Sequence, residues 1–480
     1  MNGKGWTLNR KASCISYGST LFGYVFSTVY HSSRVRRDAG DAALTSKTWT
    51  VTTQARTGNR TPPEVLVLDA HHRQALAAMR SLTRSGIDVG GVACRAEAVW
   101  APALQSRCCR LRAIVPDFED DPDGYLDAVI DLLDAYPARL ILPSHDGSIQ
   151  ALRSRRADLE KRTFLPLASE AALDIAVDKA RTLALAVQLG IRVPRSVLLT
   201  TDGDVRAAIN ELGYPAVVKP IRSWGQTKGR GSRLGAFSAM NLDEAKRLVG
   251  RFSAAGFQIV MQQWLPGRRD AVTIFCTSGK IWARFAQTSY REFPPLGGNS
   301  VLFESIPLLA DLTEPADALI RAADLDGCSM VEFRRDRSGH PVLMEVNARL
   351  PGSVALAISA GVDFPKLLHS WALGMPLWEV PEYRVGRRHR WLSGDVWYLK
   401  TLLEQQGHPD TPSFGTALAT FFGDFVRRPS ALDGVDASDM APSLAALQHG
   451  LIEPILRKLS RSAAGLVSRP SKRANASKQG

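Results

Sequence analysis

The stretch "GCSMVEFRRDRSGHPVLMEVN", residues 327–347, constrains the chain more than any other. Two apolar runs flank Asp336–Gly339, a cluster of turn formers, so the stretch reads as a β-hairpin. Each run carries one carboxylate inside otherwise buried text, Glu332 in SMVEF and Glu345 in LMEVN. Twelve positions separate them across one turn, so antiparallel pairing lets both side chains reach one point. Glu345, Asn347 and Arg349 then alternate, and a period of two sends all three to one face of a strand. Two carboxylates and an amide oxygen are hard donors suited to Mg2+, with Mn2+ as a substitute, that keeps coordination for phosphate oxygens and water. Arg349 on that face is placed to hold a transferred phosphoryl group in a two-pronged contact. A surface hairpin with scattered charges is the plainer alternative, and the apolar residues around each glutamate argue against it.

The sequence upstream alternates strand and helix. "EVLVLDAHHRQALAAMRSLTRSGIDVGGVAC" reads as strand, helix, strand, and "YLDAVIDLLDAYPARLILPSHDG" repeats the pattern, which predicts a parallel sheet over residues 61–165. No GxGxxG follows the first strand, so a dinucleotide site is not expected. His71, His72, His145 and Asp146 fall at strand ends, where they face a ligand crevice or serve as surface loop residues. A second block starts near Ala168. It contains a strand ending on Lys219, a loop with Gly225, Gly229 and Gly231, three strands over 257–289, and the carboxylate hairpin. Beyond 376 the sequence turns irregular, with two amphipathic helical stretches to which no chemistry is assigned. Trp371, Trp378, Trp391 and Trp397 read better as core than as a ring-binding platform.

Charge excludes one class of function. Of 60 Lys/Arg and 47 Asp/Glu, residues 1–60 hold nine and two and residues 451–480 hold seven and one, which leaves 44 of each over 61–450. The body is therefore neutral and the net +13 belongs to the ends, so nucleic acid is not an expected partner. Basic tails of this kind are compatible with weak contact to an anionic membrane surface. No run of 18 apolar residues exists, so no transmembrane helix is expected. Residues 1–60 read as a disordered basic extension, or as sequence upstream of the true start, and 376–480 as a helical region with a basic tail. The six cysteines form no CxxC pair, as expected for reduced thiols in a cytoplasmic protein without zinc.

Residues about 170–375 resemble the ATP-grasp domain of carboxylate–amine and related ligases. Glu332 with "EVNAR" is similar to that superfamily's E…E-x-N-x-R metal pattern, and "EFPPLGGNS" with "AGVDFPKLLHSWALG" resembles its carbamoyl-phosphate-synthase-like branch. The fold so implied is α/β, in part α+β: a Rossmann-like pre-ATP-grasp domain over 61–165, then a two-subdomain ATP-grasp fold over 168–375. The resemblance implies ATP and Mg2+ as cofactors. It matches Lys179 in "DKA" and Lys219 in "VVKP" to two lysines that contact the nucleotide. It also matches "VMQQWLPG" to an adenine-binding hinge using backbone near Gln262 or Gln263 and at Leu265, and Asp270 to the place of a ribose-binding acid. Gly225 and Gly229 fall in a phosphate-covering loop. That loop departs from the family's denser glycine run by carrying Trp224, Lys228, Arg230 and Arg233.

Arg291 and the Gly297-Gly298 turn lie between hinge and hairpin, where an arginine could orient an acceptor carboxylate or simply lie in solvent. The activity so implied is ATP-dependent activation of a small carboxylate as an acyl phosphate, followed by attack of an amine. A carboxy- or carbamoyl-phosphate-forming enzyme, or a non-catalytic ATP-binding regulatory protein, are the alternatives. Oligomeric state is left open by the sequence.

Overall fold

The computed structural model describes residues 50–53, 62–199, 205–222, 224–227, 230–295, 297–404, 410–427 and 430–454. Those up to His449 belong to one compact unit, Leu44–His449. Among the described residues no helix is long and apolar enough to cross a membrane.

The first sheet contains β1 (Thr50–Thr53), β2 (Val65–Val67), β3 (Val89–Cys94), β4 (Cys109–Val115) and β5 (Leu140–Leu142), in the order β1-β4-β3-β2-β5. β2 to β5 run parallel, as the alternation of strand and helix predicts, while β1 lies antiparallel on β4. Residues 50–53 are therefore an edge strand and not part of an unstructured extension, because Thr50–Thr53 completes the open edge of β4. The chain leaves β2 toward β3 on one side and later places β5 on the other, so a topological switch point lies at the carboxyl ends of β2 and β5. Asp69 sits there at φ 56°, a left-handed conformation that Asp tolerates better than most residues. Its Oδ2 accepts hydrogen bonds from Ser144 N and Ser148 Oγ, both 2.8 Å.

The second sheet is antiparallel. It comprises β6 (Ser196–Leu199), β7 (Ala216–Pro220), β10 (Phe237–Ala239) and β11 (Ile259–Gln263) in the order β10-β7-β11-β6. Between β7 and β10 lies a separate hairpin, β8 (Trp224–Thr227) and β9 (Arg230–Arg233). Helices Val205–Leu212 and Leu242–Ala254 bury one face of the sheet through Ile209, Leu212, Val249 and Phe252.

The third sheet is the largest. Its order is β16-β15-β12-β13-β14-β17-β18, from β12 (Arg269–Thr277), β13 (Lys280–Phe293), β14 (Asn299–Ile306), β15 (Gly327–Arg335), β16 (Pro341–Asn347), β17 (Arg388–Arg390) and β18 (Ala431–Leu432). Helix Ala310–Ala322 packs Leu312, Leu319 and Ile320 into one cluster with Ile274, Val331 and Phe333. Helices Val354–Ala360 and Phe364–Ala372 pack with Phe275, Phe285 and Phe303. Each such buried side chain contributes about 1.5–3 kcal/mol.

The region beyond 376, expected to be helical, supplies two strands of this sheet. β17 pairs with β14, and β18 runs parallel to β17. The chain then returns to the first domain, where Asp433, Asp436 and Asp439 pair with Arg73, Arg84 and Arg80 on helix Arg73–Arg84. Asp439 also accepts from Ser106 Oγ at 2.6 Å and from Arg107 N at 3.0 Å. This segment acts as a strap between the first and third sheets.

Candidate active site

β15 and β16 form the expected hairpin, closed by Gly339 N to Asp336 O at 3.0 Å, and Glu332 stands directly opposite Glu345. A bulge beside Glu332 makes this possible. Phe333 pairs with Leu343, so unbroken pairing would have set Glu332 against Met344 and sent Glu345 to the other face. Asn347 Nδ2 lies 3.0 Å from Glu332 Oε1 and 3.5 Å from Glu345 Oε1, occupying the place between the two carboxylates. A half-turn of that amide exchanges its nitrogen for its oxygen, which gives three converging oxygen donors. The donor set therefore fits Mg2+ or Mn2+. Burial pushes the Glu332 carboxyl above its ordinary range; Glu345 and Glu292 add to this, while Arg269 and Arg349 oppose it. A divalent cation would remove that penalty.

The two lysines arrive from different elements. Lys179 begins helix Lys179–Gln188, whose N-cap Asp178 accepts from Ala180 N and Arg181 N, and its own N–H donates to Ile221 O at 3.2 Å. That bond ties the helix start to the end of β7, where Lys219 is buried. Lys179 Nζ lies 3.8 Å from Glu345 Oε2. Burial lowers Lys219 to about 8, helped by the charge of Lys179 and opposed by Glu345 and Glu332. Two buried cations thus stand beside a buried and a partly exposed carboxylate, an arrangement able to receive a metal-bound polyphosphate.

Arg349 extends the same wall. It is paired with Asp146 of the first domain, and its Nη2 donates to Asn347 Oδ1 at 3.3 Å. Sequence reasoning missed Arg269, which faces the carboxylates with its guanidinium 3.3 Å from Glu332 and 3.6 Å from Glu292. Arg334 closes this group through Glu292 at 2.6 Å. The signal was the charged pair Arg268-Arg269 opening a buried strand.

Other expected residues lie elsewhere. Asp270 is one position from Arg269, so it points through the opposite face of β12, where it binds Arg335 Nε at 2.6 Å. It is not placed as a ribose acid. Arg291 does not face an acceptor pocket either. Its guanidinium is held by Asp395 at 2.8 Å and Asp424 at 2.5 Å, from helices Leu392–Glu404 and Phe414–Arg427. Bulges on both sides of Arg291 turn it toward those helices. At the hinge, Gln262 is buried against Ser196 Oγ at 2.9 Å and Gln263 Oε1 accepts from Arg195 Nε at 2.8 Å, so neither side chain is directed at a nucleotide. Leu265 lies buried in the link between β11 and β12. A Cβ at Gly225 would come within 2.7 Å of the Phe257 ring, so packing also requires glycine there. Gly229 lies outside the described residues.

A strand hairpin thus carries the paired carboxylates, with Lys219 on the neighbouring antiparallel sheet and Lys179 at the start of a helix tied to that sheet. A family model described as "ATP-grasp in the biosynthetic pathway with Ter operon" matches residues 258–394. Carbamoyl phosphate synthase large chain of Paenarthrobacter aurescens is 28% identical over 239 residues, covering 45% of this chain and 20% of that one. D-alanine–D-alanine ligase of Pseudomonas putida is 28% identical over 212 residues, 40% of this chain and 63% of the ligase. This chain thus spans less than two thirds of either relative. Biotin carboxylase of Campylobacter jejuni superimposes with a TM-score of 0.55 at 17% identity, covering 68% of this chain and 74% of its own. L-amino acid ligase of Bacillus licheniformis does so at 0.50 and 18%, covering 68% and 79%. Over residues 258–394 this chain thus matches an ATP-grasp family model, and over 40–45% of its length it is similar to carbamoyl phosphate synthase and D-alanine–D-alanine ligase.

Proposed function

We propose that this protein is a cytoplasmic ATP-dependent ligase that activates a carboxylate as an acyl phosphate and joins it to an amine. The observation that carries the reading is the Glu332–Glu345 pair, bridged by Asn347 and flanked by Lys179 and Lys219. When bound there, Mg2+ would supply a Lewis acid for the phosphate charge. Lys179, Lys219 and Arg349 would hold the polyphosphate by charge and aim its terminal phosphorus. A carboxylate oxygen then attacks that phosphorus and ADP leaves; the amine next attacks the acyl carbon, expelling phosphate and losing a proton. No side chain need become covalently attached.

The acceptor side is assigned to the strand ends of the first domain, which Asp146 joins to Arg349. There burial pushes Glu97 up to about 8, with Asp117, Glu119 and Asp69 adding to it, and a cationic amine would relieve that crowding.

The test is ADP release and hydroxamate formation with hydroxylamine in place of the amine, against a panel of amino acids and small carboxylates. Hydroxamate formed from one acid, and lost in Glu345→Gln, is the expected outcome. AMP in place of ADP would refute the acyl-phosphate route.

A further inference from the structure

Arg349 follows Asn347 by two residues, yet its main partner comes from 203 positions away. Its Nε and Nη2 both engage the carboxylate of Asp146, the second contact at 3.1 Å. The remaining contacts are short-range: Nη2 to Asn347 Oδ1 at 3.3 Å and Nη1 to Leu350 O at 3.4 Å. The guanidinium lies within the field of Glu345 and Glu332.

Asp146 is firmly placed. It opens helix Asp146–Ser154, whose N-cap His145 accepts from Gly147 N at 3.1 Å. Phe118 and Trp224 close over Gly147 so tightly that a Cβ there would fall 2.5 and 2.8 Å from their rings. Ser148 anchors the next turn on Asp69 at 2.8 Å. The helix start therefore cannot slide without disturbing three packed groups.

We propose that Asp146 is a positioning residue that holds the Arg349 guanidinium away from the Glu332–Glu345 pair and so keeps that pair open to a divalent cation. A buried guanidinium seeks a carboxylate. Without Asp146, the carboxylates it can reach are Glu345 and Glu332, and an arginine engaged there competes with the metal. The first domain thereby sets the metal affinity of a centre built by the third sheet. The inference rests on the metal reading given above.

The test is Mn2+ titration followed by electron paramagnetic resonance, on the full chain without nucleotide, so that it depends neither on turnover nor on any contact of Arg349 with phosphate. Asp146→Asn is expected to weaken Mn2+ binding by about tenfold, the low end of what losing a partner behind a metal site costs. Asp146→Glu should stay within about threefold of wild type, because it restores the charge. Asp146→Asn combined with Arg349→Gln should return to wild-type affinity, because the competing cation is gone; a merely unfolded or loosened helix would not be rescued this way. Wild-type affinity in Asp146→Asn, or no recovery in the double variant, would overturn the inference. A wild-type protein that takes up no Mn2+ would overturn the metal reading itself, together with this inference.

Discussion

Replacing Asp395 by Asn tests whether Arg291 serves the fold or the chemistry. Asp395 is fully buried and accepts from Arg291 at 2.8 Å through both oxygens and from Arg390 Nε at 2.6 Å. Arg390 is itself buried, packed over Phe421 and Phe425 at 4.1 and 3.9 Å. The substitution leaves two buried guanidinium groups facing a neutral amide, a loss on the order of 3–5 kcal/mol. If Leu44–His449 melts as one unit, an unfolding entropy of about 2.1 cal/mol/K per residue makes this a drop of roughly 4–6 °C in Tm. Arg291→Met removes only one of the two cations. Asp395 keeps Arg390, and the less buried Asp424 can turn to water, so the expected cost is about 1–2 kcal/mol. Differential scanning calorimetry gives the ranking, and the hydroxamate assay below the melting range gives activity. Arg291→Met should remain active. A variant with wild-type stability and no activity would refute this reasoning and return Arg291 to the acceptor pocket.

Two further outcomes concern pH. Lys219 in the folded protein sits near 8 instead of 10.5, so between those values the free site has lost a proton that bound phosphate would draw back. Mg-ATP binding at pH 8.5 should therefore take up as much as about three quarters of a proton, read by calorimetry in buffers of different ionisation enthalpy, and affinity should fall as pH rises through 8; no uptake would remove Lys219 from the phosphate site. Asp69 is pushed up to about 6 by burial, against 3.8, so the native state holds its extra proton between those values and loses stability as pH rises from 4 to 6. Asp69→Asn keeps an acceptor for Ser144 and Ser148 without the charge. In urea unfolding it should exceed wild type by up to about 3 kcal/mol at pH 8 and show no such gain at pH 4.

The legible part of this fold was local. Alternation over 65–142 and turn chemistry at Asp336–Gly339 follow from period and propensity, and both appear in the structure. The carboxylate pair was legible because polar residues in apolar strands are costly and therefore conspicuous. What failed depends on parity or on distance. Arg269 and Asp270 exchange faces by one residue, and only the register of β12 against β15 says which of them looks at Glu332. Arg291 is redirected by bulges that leave no mark in composition. β17 and β18, three and two residues long, are too short for any periodicity to register.

The strap over 388–439 bears on how this chain can be divided or exchanged. The sequence suggests a cut near 375, after the last nucleotide-site residue. Removing the chain beyond that cut would bare the edge of β14 along Leu302–Glu304, leaving backbone groups open to another chain. It would also take away the carboxylates that neutralise Arg73, Arg80 and Arg84 on the first domain. A shortened chain is expected to aggregate instead of yielding an independent nucleotide-binding module. Chimaeras with relatives must carry residues 388–439 together with both the first and the third sheet, as a single inheritable part.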